Sequence, residues 1–522
     1  MRRHLSKSLL TSSLGVLSTV VALSCATYSD LNQRMRQDLD RANFDGALDE
    51  ANGLLKVKKA DQMPRKWKKD TGLAVLERAT ILHALGDYEL SARDFAKAEE
   101  ELEMLDIAAD VGGNIARWVY SESSAKYTQP PSERLTLNAI NLENYLMRGD
   151  LQGARVEAKR FTVMRNYLLD HDPEHAYGEF GSYMAGFVFE KLGNADEAMR
   201  YYDEALMGRD FATLREPIGR LSKNSSVHSE RLDAYAAGAA SDAPANDGEA
   251  KDGGTTNESA QDDASAEDGE TSGDEASPEN TDAPETDETQ SSPEVQKPAV
   301  VALATAGDVA VGELLVVVKL GRVPYKVPQR IPIGAAIGIG AAYITGDTTL
   351  LEHGLMKFIV YPELVGAPHL FDEASVRIDG RPVGVELASH IGKQIIREYE
   401  ELKPRIIGAA LTRMIARAAV SGGIRAGGNA RSQQTGDSGG ALVGFLAALA
   451  VEGTLVALDK PDTRSWTTLP ERVYISRTWL PAGKHTVRIE TVGPIEGAKS
   501  IKEVEVEIPA DGYAAIDFTT LR

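Results

Sequence analysis

A single cysteine, Cys25, stands in 522 residues, so no intramolecular disulfide can staple this chain. Metal and nucleotide signatures are missing too. There is no HExxH, no CxxC and no phosphate-cradling GxxxxGK[ST], and no cofactor is expected. Basic excess is lacking: the formal net charge is −21, and a polyanion repels phosphates, which argues against nucleic acid as a partner. After the first two dozen residues no uncharged run reaches the length of a transmembrane helix. Aromatic residues vanish between Ala236 and Pro298, where Asp, Glu, Ser, Thr, Ala, Gly and Pro dominate. Such a stretch cannot bury enough apolar surface to offset its chain entropy, so an extended, disordered acidic linker is expected there. Its carboxylates lack the alternating order of a calcium loop.

What is present begins with an address. Arg2, Arg3 and Lys7 precede an apolar run from Leu9 to Leu23 and the small Ser24, the pattern of a secretory signal peptide over residues 1–24. The run ends in Ala22-Leu23-Ser24-Cys25, which resembles the lipobox cut before a diacylated cysteine. An unpaired thiol in an oxidising compartment is unusual, and lipidation of Cys25 by palmitate-type chains accounts for it. Ala26 in place of aspartate directs the expectation to the outer membrane, facing the periplasm. The alternative is an ordinary signal peptide that adjoins a cysteine by chance.

At this length two or three domains are expected. Residues 25–235 read as helical throughout, with apolar positions returning every three or four residues. Four breaks share a form: Asn43-Phe44-Asp45-Gly46-Ala47, Gly86-Asp87-Tyr88, Gly149-Asp150-Leu151 and Gly193-Asn194-Ala195. A glycine that ends one helix and a small residue that lets the next pack closely are features of tetratricopeptide-like turns. Phe95 and Ala98 after the second, and Tyr202 and Ala205 after the fourth, fit that pattern. The turns lie about 44, 63 and 44 residues apart instead of the regular ~34 of the repeat, so the expectation is an irregular all-α array of helical hairpins. The alternative is a non-repetitive bundle. Arrays of this kind bind peptides or proteins on a concave face, which favours a binding role over catalysis.

Residues 299–522 read as an α+β domain, an antiparallel β-sandwich with helices inserted in its middle. Gly312–Leu320, Lys357–Tyr361, Ala374–Asp379 with a return at Val383–Val385, Val473–Arg477, Thr486–Thr491, Glu503–Ile508 and Ala514–Phe518 are the expected strands. Between them Leu387, Ile391, Ile395, Tyr399 and Leu402 fall on one helical face, which Pro404 breaks or restarts, and Ile407 to Ala418 continue it. Two apolar stretches, Ile331–Ile344 and Ala441–Val451, serve either as core or as surfaces that meet another copy, a partner or a membrane.

Tyr127–Glu157, the run Asp462-Thr463-Arg464-Ser465-Trp466, and Leu469-Pro470 with Leu480-Pro481-Ala482-Gly483-Lys484-His485 together resemble an uncharacterised family of bacterial outer-membrane lipoproteins. Its members have a tetratricopeptide-like N-terminal half and a β-rich C-terminal half. Their genes often lie beside those for lipoproteins that activate penicillin-binding proteins. The resemblance implies an envelope location and, by gene neighbourhood, cell-wall synthesis machinery as a partner; it carries over no catalytic residue. Physically, Asp462 and Arg464 share a strand face and can pair. One reading is a structural strand with a surface ion pair of little energetic weight. The sharper reading makes Arg464, Trp466 and Trp479 an anchor patch for a protein partner, because Trp and Arg dominate interface energetics.

Thr435-Gly436-Asp437-Ser438-Gly439-Gly440 spells the nucleophile loop of chymotrypsin-like proteases. The histidine context that would activate Ser438 is missing, and an N-cap before an apolar helix explains the same letters. The chain is expected not to be an enzyme.

Overall fold

The fold is given by a computed structural model, which describes residues 27–102, 127, 129–242, 310–340, 358–412, 461–495 and 497–522. Cys25 and the signal, most of the acidic linker, Ser438 and Ala441–Val451 lie outside them.

The N-terminal half is a succession of helices: α1 (Tyr28–Leu31), α2 (Gln33–Asp40), α3 (Phe44–Leu55), α4 (Thr71–Ala84), α5 (Tyr88–Glu101), α6 (Pro131–Met147), α7 (Leu151–His171), α8 (Glu179–Lys191), α9 (Ala195–Gly208), α10 (Arg215–Leu221) and α11 (Glu230–Asp242). The four predicted turns join α2 to α3, α4 to α5, α6 to α7 and α8 to α9. Gly86, Gly149 and Gly193 hold φ of +80°, +71° and +75°, a region costly for other residues, and Ala42 takes the same role at +58°. The next residue but none intervening, Asn43, Asp87, Asp150 or Asn194, then caps its helix by accepting from the backbone N–H three positions on. Phe95, Ala98, Tyr202 and Ala205 are fully buried, as the pattern requires.

The second helices of these hairpins, α5, α7 and α9, bury one face. The first helices, α4, α6 and α8, are buried almost all round. Something must therefore cover their concave side, and it is the other half of the chain.

That half holds β1 (Val311–Leu320), β2 (Tyr325–Pro332), α12 (Ile333–Gly340), β3 (Phe358–Val365), β4 (Glu373–Ile378), β5 (Arg381–Val383), β6 (Glu386–His390), α13 (391–412), β7 (Arg472–Pro481), β8 (Gly483–Val492), β9 (Lys499–Ile508) and β10 (Tyr513–Thr520). Two four-stranded sheets, ordered β10-β1-β7-β6 and β5-β4-β8-β9, face each other, and β2 pairs with β3 as a separate ribbon. The expected sandwich is antiparallel except at one pair. After β9 the chain turns at Asp511 and crosses sheets, so β10 arrives beside β1 running parallel to it. Leu387, expected on a helical face, lies instead in β6, and the helix that follows runs on through Pro404.

Strand β1 explains the layering. Leu314, Val316, Val318 and Leu320 point into the sandwich with Val376, Val487 and Ile489. Leu315 and Val317 point the other way and share a core with Leu76, Leu142 and Phe187 of the helices. Alternate residues of one strand thus serve two cores, and the molecule is three layers: helices, sheet, sheet. The helical and β-rich halves are thus joined by a shared core.

Candidate interaction groove

The concave side of the array carries charge at positions where burial makes charge costly. Glu77 and His83 project from α4, Glu133 and Glu143 from α6, and Glu190 from α8, all within 8 % exposure. Each meets groups from the C-terminal half.

At the first station the segment 461–471 crosses the groove without ladder structure, although Pro461 and residues 463–470 are buried. Glu77 accepts from the Thr467 N–H at 2.9 Å, the Thr467 hydroxyl at 2.9 Å and the Thr468 N–H at 2.8 Å. The Trp466 indole N–H donates to the Thr80 and Thr468 hydroxyls at 3.0 and 3.1 Å, and its ring lies 5.8 Å from that of Phe95. The Trp466 backbone N–H points at Glu133, 3.4 Å away, which also accepts from the Tyr127 hydroxyl at 2.7 Å. Burial pushes the Glu133 carboxyl up to about 7, and burial also raises Glu77. Arg464 pairs with Asp462 at 2.6 Å and with Asp70 of the helical half at 3.4 Å.

The second station is ionic. Lys319, on the helix-facing side of β1, donates to Glu143 at 2.6 Å and to Asp517 of β10. His83 Nδ1 meets Asn144 Oδ1 at 2.7 Å, and its Nε2 lies 3.5 Å from Asp517 and 3.8 Å from Glu143. Two carboxylates share one ammonium here. Burial opposes charge on both, but Lys319 holds Asp517 well below the usual range, while for Glu143 burial dominates and its carboxyl rises to about 7. His83, Glu143 and Asp517 are also the one metal-ligand-like cluster among the described residues. The Lys319 ammonium already occupies the cation position between the carboxylates, so the donor set does not suit a metal ion.

At the third station Arg477 of β7 forks onto Glu190 with two 2.7 Å bonds and pairs with Glu313 of β1. Tyr202 donates to Glu190 at 2.6 Å, and Lys191 and Arg220 close the network. Burial works against the Glu190 charge, but Arg477 and Lys191 prevail and hold it low. Trp479 donates to Glu216 at 3.0 Å and carries Lys191 and Arg220 at 5.2 and 5.3 Å from its ring centroid.

A fourth contact runs in the opposite sense. Glu398 of α13 accepts from the Ser132 N–H and hydroxyl, both at 2.8 Å, at the N-terminus of α6. Burial pushes its carboxyl up to about 8.

The expected anchor patch is thereby corrected. Arg464 and Trp466 are 3 % and 0 % exposed and grip α4, whereas half-buried Trp479 leans on α8 and α10. They form no single patch, and what they hold is the chain's own helical array. Nor is the Asp462–Arg464 pair a surface pair on a strand: it lies in an irregular segment, with Arg464 buried and Asp462 half-buried. Glu77, Glu133, Glu190, Glu398, Lys319 and Arg477 were not expected. The readable signal was Glu313 and Lys319, same-face charges inside the otherwise apolar GELLVVVKL.

No protein-family model matches the chain, and no curated protein sequence does. Among solved structures, two crystal structures of MamA align with it at 14 % and 13 % identity, covering 41 % and 44 % of this chain and 91 % and 88 % of theirs. Their TM-scores are 0.26 and 0.25, too low to establish a shared fold.

Proposed function

We propose that this chain is a non-enzymatic scaffold of the bacterial cell envelope, held to the outer membrane on its periplasmic side by an acylated Cys25, that binds protein partners through its helical array. The observation that carries this reading is the handling of segment 461–471. The array grips an irregular stretch of polypeptide through backbone N–H groups and one anchoring indole, as a groove for extended peptides would. The family resemblance and its gene neighbourhood favour the cell-wall synthesis machinery as the partner.

The test is crosslinking in intact cells with recovery through a C-terminal tag, comparing wild type with Cys25→Ser, alongside palmitate labelling. Label and a penicillin-binding protein or its activator, both lost in Cys25→Ser, are the expected result. An unlabelled protein that captures neither sinks the reading.

A second reading has support of its own. Helix α12 leaves Gly334, Ala335, Gly338 and Ile339 exposed, and Gly340 lies so close to Gly408 of α13 that a Cβ would sit 2.8 Å from its backbone nitrogen. Such a glycine-rich apolar surface suits packing against further copies in an envelope assembly, with Ile331–Ile344 and Ala441–Val451 as the contacts. Because the C-terminal half shares its core with the helices, sedimentation of the full chain decides this, not of a fragment. Hydrolysis through Ser438 ranks third; loss of a measured hydrolase activity in Ser438→Ala would establish it.

A further inference from the structure

We propose that the seam between the helical array and the C-terminal half is a proton-operated latch. Protonated Glu133 and Glu398 hold the groove shut beside the Glu77 grip on Thr467 and Thr468, and ionisation of those two carboxyls frees segment 461–471 so that a partner's extended segment can enter. This rests on the groove reading given above and adds its regulation.

Three observations converge. First, the residues sit on the seam itself: Glu77 holds Thr467 and Thr468, Glu133 faces the Trp466 N–H, and Glu398 caps α6 from the opposite half. Second, all three are at least 96 % buried, and among the described residues each accepts only from neutral donors. This contrasts with Glu143, Glu190, Glu313 and Asp517, which sit against Lys319 or Arg477. Third, each has a hydroxyl at hydrogen-bond distance that can reverse its role. Thr467 Oγ1 at 2.9 Å, Tyr127 OH at 2.7 Å and Ser132 Oγ at 2.8 Å donate to a carboxylate and can equally accept from a carboxylic acid. At Glu133 and Glu398 the closed seam therefore accommodates the proton without losing a bond, whereas both oxygens of Glu77 already accept backbone N–H groups.

The surrounding charges do not cancel the effect. Arg322 faces Glu77, Lys326 faces Glu133, and Arg134 and His175 face Glu398. Against them, Glu77 and Glu133 repel each other, Glu133 repels Glu398, and Tyr28, Tyr127 and Tyr177 stand nearby as neutral phenols. Burial dominates, leaving Glu133 at about 7 and Glu398 at about 8 in the closed state. The closed state binds protons that a hydrated, open state would release. Closure is thus favoured at low pH and lost as pH rises through these values, by up to about tenfold per pH unit for each group. Arg477 and Glu190 keep their charges over this range and act as the hinge side, while Glu143 beside Lys319, at about 7, titrates within it.

Hydrogen exchange of the Thr467 and Thr468 amides in the full chain tests the latch without any partner. Corrected for intrinsic rate, protection should fall at least about 100-fold between pH 5.5 and pH 8. In the double variant Glu133→Gln, Glu398→Gln the fall should shrink to about tenfold or less. Should that variant not fold, Glu398→Gln alone should flatten the dependence by up to about 100-fold. Equal protection at both pH values in wild type, or an unchanged slope in the glutamine variants, overturns the proposal. A photo-crosslinking peptide of residues 461–471, added at pH 8, separates the two ideas: pH-dependent opening without peptide capture defeats the groove reading and leaves the latch standing.

Discussion

Truncating Trp466 to alanine separates an internal clasp from a partner anchor. The indole is fully buried, packs against Phe95 and sits in the core shared by both halves. Removing a side chain of this size from such a site costs about 3–5 kcal/mol through lost burial and the cavity left behind. The lost indole bonds add less. Thr80 can still donate to the Leu76 carbonyl at 3.1 Å and Thr468 to the Glu77 carbonyl at 3.4 Å, so the loss is on the order of 1 kcal/mol. A total near ~4 kcal/mol corresponds to a fall in Tm of about 6 °C for a cooperative unit of this size. Urea or thermal unfolding of the full chain, followed by far-UV circular dichroism and by hydrogen exchange in β7, is the assay. Helical and sheet signals should shift together, because the residue bridges the layers. Trp466→Phe should lose less, since it keeps the ring contact. A Trp466→Ala protein that melts like wild type yet no longer binds its partner would refute the clasp and restore the anchor.

Arg477→Met should destabilise by about 3–5 kcal/mol in urea unfolding, because Glu190 and Glu313 stay buried without their main cation, and adding Glu190→Gln with Glu313→Gln should recover most of it. Lys319→Met leaves Glu143 and Asp517 without the ammonium that now sits between them, so both carboxyls titrate higher in the folded state. Its stability deficit should therefore be largest at pH 8 and shrink toward pH 5 as the native state takes up protons, which paired thermal melts would read; a deficit independent of pH contradicts the shared-ammonium account. Gly149→Ala should cost about 1–2 kcal/mol from backbone strain alone, since a Cβ there meets open space, and Asp150→Ala about 1 kcal/mol from the lost cap; both are read from urea midpoints.

The parts of the fold legible in the sequence are those set by local chemistry. Gly86-Asp87, Gly149-Asp150 and Gly193-Asn194 each combine a left-handed stop with a side-chain cap, so the hairpin turns are written in adjacent letters. The Asp379-Gly380 turn and the period-2 runs of β8 and β9 are of the same kind. Leu387 misled because it stands four residues before Ile391, imitating a helical face, although a bulge between Leu387 and Ser389 belongs to a strand. What was not legible is what fills the groove. Glu77 and Thr467 are 390 residues apart, and nothing in either neighbourhood names the other. The letters of Asp462-Thr463-Arg464-Ser465-Trp466 alternate like a strand, yet their bonds go mostly to α1, α4, α6 and one another. Among the described residues the one bond to a strand is the Lys326 N–H of β2 donating to the Ser465 hydroxyl. Arg464 and Trp466 carry the residue types of a partner anchor, yet both are buried against the chain's own helical half, which no local pattern could indicate.

The polar character of this interface bears on how the halves find each other. An apolar sheet face laid on an apolar groove would be stable in several registers, since burial is indifferent to sliding. Here β1 presents Glu313 and Lys319 six residues apart on one side, and the helices answer with Lys191 beside the first and Glu143 beside the second. A shift of two residues along β1 keeps the same face toward the helices but sets Leu315 or Val317 against a buried charge, an error of several kcal/mol at each end. Arg477 and Asp517, from the strands on either side of β1, tie the lateral position in the same way. These charges contribute little net stability compared with well-packed apolar residues, and their value lies in excluding wrong placements. That division of labour also explains why the two kinds of buried carboxylate occupy different places. The paired ones fix where the sheet sits through their bonds to Lys319, Lys191 and Arg477. Those with neutral partners line the irregular segment, where a change of protonation can loosen the chain without losing the register the ion pairs preserve.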